Sequence, residues 1–79
     1  MKTSKIQLTS INDVKEFVTK ISQFNCDIDL ISGRYVVDAK SIMGIFSLDL
    51  SKEIEMSIEV EDETLVKEFE VSIEKFLIR

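Results

Sequence analysis

Ser41 is the residue whose surroundings carry the most chemistry. It follows Lys40 and opens the run Ile42, Met43, Gly44, Ile45 and Phe46, in which apolar side chains flank a glycine. Such a run is too short to hold a helix by intrinsic propensity. A capping bond supplies what is missing, because a serine hydroxyl accepts from a backbone N–H two or three residues on. The same oxygen stands at the positive end of the helix and beside Lys40, where an added phosphate is electrostatically tolerated. Two readings meet on this atom, a structural N-cap and a regulated phosphorylation site. Ile42, Met43 and Phe46 also have two readings, closing the core under the short helix or forming an exposed patch for a protein partner.

No other constellation of nucleophile, base or ligands stands out. The chain has 15 acidic and 10 basic residues, no histidine and one cysteine. Without histidine, no serine or cysteine has the usual neighbouring base. Cys26 alone makes neither an internal disulfide nor a cysteine-based metal site, and is expected as a small core or half-buried residue. The acidic Glu59, Glu61, Asp62 and Glu63 do not follow a calcium-loop spacing. Gly33 and Gly44 are isolated and build no phosphate loop. The expectation is a protein without metal or cofactor and not an enzyme. A net charge of −5 argues against nucleic acid and anionic membranes, which need a basic footprint. The N-terminus lacks the apolar stretch of a signal peptide, and no run reaches the roughly 20 apolar residues of a membrane span. A single cytoplasmic domain over residues 1–79 is expected, with protein partners.

The elements that position Ser41 follow from periodicity. Residues 3–8 alternate weakly, with Ile6 and Leu8 on one face, as a first strand. Ser10 then caps a helix over about residues 11–23. Asp13 completes a capping-box variant, and Ile11, Val14, Phe17, Val18, Ile21 and Phe24 form the apolar stripe. From Cys26 the period is two, through Ile28 and Leu30. Ser32-Gly33 makes a turn into a strand from Arg34 to Val37. A short helix from Ser41 to about Leu48 follows, then a polar bend at residues 49–52. Glu53 to Val60 alternates most cleanly, with Ile54, Met56, Ile58 and Val60 inward. A terminal helix carries Leu65, Val66, Phe69, Ile73, Phe76 and Leu77 on one face. Asp62 and Glu63 lie at its start, and Lys75 and Arg79 near its end. The order β-α-β-β-α-β-α, with half-polar strands and two long amphipathic helices, makes an α+β open-faced two-layer sandwich. The other sheet face stays wet and negative.

The segment Val37-Asp38-Ala39-Lys40-Ser41-Ile42-Met43-Gly44-Ile45-Phe46-Ser47-Leu48 resembles the region around the regulatory serine of the HPr phosphocarrier family, part of the bacterial sugar phosphotransferase system. The resemblance extends in pattern over essentially the whole chain. It implies a four-stranded antiparallel sheet of order 1-4-2-3 covered on one face by helices. It also implies a regulatory phosphorylation at Ser41 by an HPr-type serine kinase. A transcriptional regulator is the implied partner, binding through Lys40, Ile42, Met43 and Phe46. The departure lies at the other site. HPr proteins carry phosphate on a histidine between the first strand and first helix, where this chain reads Leu8-Thr9-Ser10-Ile11-Asn12-Asp13-Val14. A serine ester is a far poorer phosphoryl donor than a phosphorylated imidazole, so the carrier role does not pass to Ser10. The chain is similar in this respect to Crh, a homologue that lacks the histidine and keeps the regulatory serine. The leading expectation is a non-catalytic regulatory or interaction module. The alternatives are an assembly partner without phosphate chemistry and an unconventional phosphocarrier.

Overall fold

Alternation of Ile54, Met56 and Ile58 with polar residues suits a strand with one buried face, and that strand is central in the computed structural model, which describes residues 2–78. The elements are β1 (Lys2–Ile6), α1 (Ile11–Ile21), β2 (Asp27–Ser32), β3 (Tyr35–Asp38), α2 (Ile42–Phe46), β4 (Ile54–Glu59) and α3 (Glu63–Ser72), followed by a 3₁₀ turn at Glu74–Phe76. The sheet has the order β1-β4-β2-β3 with every pairing antiparallel. Inward residues of β4 and β2, among them Ile54, Met56, Ile28 and Leu30, meet Phe17 and Ile21 of α1 and Phe69 of α3 in one core. Edge-to-face ring contacts bind the layers, Phe17 on Phe76 with centroids 5.7 Å apart and Phe24 on Phe69 at 5.3 Å.

The helices start where the capping residues stand. Ser10 Oγ accepts from the Asp13 N–H at 3.1 Å, and Asp62 Oδ1 accepts from the Thr64 N–H at 2.9 Å. α1 ends at Ile21, two residues before the expected end, with the Ser22 N–H donating to the Val18 carbonyl. Ile11 does not join the core: it is 62% exposed. With about 3.6 residues per turn it falls on the rim of the stripe formed by Val14, Phe17, Val18 and Ile21, in the first turn, where the core ends.

Pairing of Ser32 with Tyr35 makes Gly33-Arg34 the two-residue turn, so β3 begins one residue later than expected. Gly33 has φ 61° and no other residue type takes positive φ among the described residues, the pattern of a type II′ hairpin with glycine first. Leu8 is buried beyond the end of β1, and β2 begins at Asp27, after half-buried Cys26.

The expected single terminal helix divides in two. α3 stops at Ser72, and after the 3₁₀ turn Leu77 forms an antiparallel bridge with Ile6. The Gln7 N–H donates to the Phe76 carbonyl and the Ile78 N–H to the Lys5 carbonyl, each at 2.9 Å. The open edge of β1 offers backbone groups that a continued helix would leave unpaired, and they capture the chain. Ile73 and Phe76 are still buried, as their spacing implied. Lys75 sits in the 3₁₀ turn rather than at a helix end, and Arg79 lies outside the described residues. No described helix is long and apolar enough to cross a membrane.

Candidate functional site

A series of backbone anchors between β3 and α2 positions Ser41. Buried Ala39 donates its N–H to the Ile28 carbonyl at 2.9 Å, holding the exit of β3 against β2. Asp38 turns the chain: its Oδ1 accepts from the Lys40 N–H at 2.9 Å, and its carbonyl accepts from the Ser41 N–H at 3.0 Å. Ser41 then takes extended dihedrals, φ −100° and ψ 106°, and its Oγ accepts from the Gly44 N–H at 3.1 Å. The N-cap reading of Ser41 is therefore realised. The helix runs only from Ile42 to Phe46, and Leu48, whose N–H donates to the Ile45 carbonyl, is buried in the core.

Gly44 lets this turn lie close to β3. A Cβ at that position would come 3.2 Å from Ser41 Oγ and 3.3 Å from the Val37 Cβ. Ile45 and Leu48 carry the packing of α2. Met43 is 81% exposed, and Ile42 and Phe46 are each 38% exposed, so these three form an open apolar rim beside half-buried Ser41. Lys40 is directed elsewhere. Its Nζ donates to the Phe24 carbonyl at 2.6 Å, tying the entry of α2 to the exit of α1. It adjoins Ser41 in sequence, and its ammonium is held at the Phe24 carbonyl by one of its three donors.

The β1–α1 junction is a closed set of hydrogen bonds. Asp13 Oδ2 accepts from the Thr9 N–H at 3.0 Å and from Thr9 Oγ1 at 2.9 Å, while Ser10 Oγ accepts from the Asp13 N–H. The capping box is thus displaced by one residue, since Asp13 reaches Thr9 rather than Ser10. The Thr9 N–H and hydroxyl, with help from Lys75 and Ser10, hold the Asp13 carboxyl below its ordinary range. Of the first-turn donors of α1, the Asp13 N–H is capped by the Ser10 hydroxyl, and the Asp13 carboxylate lies against Thr9 just before the helix. Nearby, Glu16 pairs with Lys75 at 2.9 Å and with Lys20 at 3.6 Å. The Lys75 hydrogen bond lowers the Glu16 pKa and raises that of Lys75.

The family model described as the PTS HPr component phosphorylation site matches residues 10–75. This chain belongs to the HPr family. Among solved structures, HPr-C-His from Thermoanaerobacter tengcongensis is 30% identical, with 95% of this chain and 93% of that one covered and a TM-score of 0.75. Crh from Bacillus subtilis, whose structure is described as a dimer with a swapped domain, is 26% identical over 95% and 88%, with a TM-score of 0.65. The phosphocarrier HPr from Bacillus anthracis is 25% identical over 90% and 94%, also at 0.65. No curated protein matches the chain. The HPr sheet order 1-4-2-3, expected from the resemblance, is the one observed.

Two contacts at the site were not legible in the sequence. The Lys75–Glu16 pair spans 59 positions and the Lys40–Phe24 bond spans 16, and neither spacing has a local signature.

Proposed function

We propose that this HPr-family protein does not relay phosphate, and acts instead as a cytoplasmic regulatory module that binds protein partners through α2, with Ser41 as the phosphorylated residue. The observation that carries the reading is the exposure of Ile42, Met43 and Phe46 beside Ser41, while Ile45 and Leu48 of the same segment are buried. A kinase would transfer the γ-phosphoryl group of ATP to Ser41 Oγ, breaking the bond to ADP and releasing the hydroxyl proton to the kinase's base. The product places a charge of about −1.5 to −2 next to the apolar rim. A partner that reads it offers an arginine or lysine with an apolar surface.

Absence of histidine supports the loss of the carrier role, and so does the β1–α1 junction, where Ser10 caps α1 and Asp13 supplies negative charge. Incubation with ATP and an HPr kinase, followed by intact-mass measurement, tests the reading. Wild type gains one phosphate and Ser41→Ala gains none. An unmodified wild-type protein overturns it. Phosphoenolpyruvate with the general phosphotransferase enzyme I should leave the protein unlabelled.

A further inference from the structure

The sheet face turned away from the helices has no covering element among the described residues, and its charges are arranged at a cost. Direct register sets Asp29 against Asp38 and Asp27 against Glu59, and like charges opposite one another weaken a sheet. Asp27, Asp29, Glu55 and Glu59 form no ion pair among the described residues. Asp27, Asp29, Asp38 and Glu59 line a groove of about 440 Å³. Lys40 lines it too, with its ammonium donating to the Phe24 carbonyl, which leaves one cation against the four carboxylates.

A second, independent observation lies at the middle of this face. Ser57 stands between Thr3 and Asp29 in register, and is only 7% exposed. Its hydroxyl makes no hydrogen bond with another described residue. Since no fully enclosed side-chain polar atom there lacks a partner, this oxygen opens on to the face with its donor and acceptor unused. One row further along, Ile31 pairs with exposed Val36, adding an apolar patch to the charged one.

We infer that this face docks a lysine- or arginine-bearing segment of a protein partner. Its cations would sit against Asp27, Asp29, Asp38 and Glu59, its backbone would meet the Ser57 hydroxyl, and an apolar side chain would cover Ile31 and Val36. Bound cations turn the repulsive pairs into attractive contacts, which supplies the differential interaction that binding needs. A metal ion fits less well, because no three ligand side chains among the described residues are grouped to hold one. The inference concerns the sheet and is independent of Ser41.

The test uses the full chain and a labelled peptide alternating lysine with valine, followed by fluorescence anisotropy and by amide chemical shifts. Resonances of Asp27, Asp29, Ser57 and Glu59 shift while those of α2 do not. Affinity falls about tenfold from low to physiological ionic strength, and about fivefold in the Asp29→Asn, Glu59→Gln double variant. That variant unfolds at a higher temperature than wild type, because two repulsive pairs are relieved, so its weaker binding does not come from misfolding. Ser41→Ala binds the peptide as wild type does, which separates this inference from the regulatory reading. Shifts confined to α2, salt-insensitive binding, undiminished binding by the double variant, or a response to calcium alone overturns it.

Discussion

Replacing Ser41 by alanine separates the structural duty of its hydroxyl from its proposed chemistry. The substitution deletes the 3.1 Å bond to the Gly44 N–H, and that N–H lies in the first turn of a helix spanning only Ile42–Phe46. Loss of an N-cap costs about 1 kcal/mol, in a range of roughly 0.5–2. Gly44 is half-buried, so water replaces the lost acceptor poorly and the upper half of that range is expected. In a domain of this size 1 kcal/mol corresponds to a fall in Tm of about 4–8 °C. Ser41→Asp keeps an acceptor that ranks with serine at N-caps and recovers most of the loss. Urea and thermal unfolding followed by far-UV circular dichroism measure both variants, with equal m-values as the check that the denatured state is unchanged. A Ser41→Ala midpoint equal to wild type would refute the capping argument, and so would a Ser41→Asp variant as unstable as Ser41→Ala. The same data show whether loss of phosphate uptake in Ser41→Ala reflects the missing hydroxyl or a melted α2.

Gly44→Ala should destabilise by about 1 kcal/mol despite alanine's better helix propensity, because the new Cβ meets Val37 Cβ at 3.3 Å on the sheet; chemical denaturation checks it, and a more stable variant contradicts it. The Asp13 carboxyl has its pKa lowered in the fold from an ordinary 3.8, first by the Thr9 N–H and then by its hydroxyl. Its stabilising contribution is therefore present above that ordinary value and lost as pH falls through the lower folded value. Asp13→Asn should flatten the acid limb of a stability-against-pH curve, and an unaltered limb argues against the Thr9 contacts. Lys75→Met should return the Glu16 pKa toward its ordinary value in an NMR titration, with little change in the unfolding midpoint, since the pair is exposed. Phe69→Ala, which empties a fully buried site facing Phe24, should cost about 3–5 kcal/mol and lower the unfolding midpoint sharply; a small shift would show that the core collapses to fill it.

Local and periodic features were legible in the residues alone. Ser10 and Ser41 accept from N–H groups three residues on, β4 buries Ile54, Met56 and Ile58 as its alternation requires, and the element order follows from where the period changes between about 3.6 and 2. Gly33 turns the first hairpin because the need for positive φ is local to it. The family likeness in residues 37–48 supplied the strand order, which periodicity does not encode. Whatever depends on distant partners was settled by packing in three dimensions. Ile11 has the spacing of a core residue, yet it stays exposed in the first turn of α1. The α3 stripe continues past Ser72, yet the free edge of β1 draws Leu77 and Ile78 out of the helix. Periodicity left Ile42, Met43 and Phe46 divided between core and surface. Packing resolved them: Ile45 and Leu48 are the buried side chains of this segment, and those three are exposed at the rim beside Ser41.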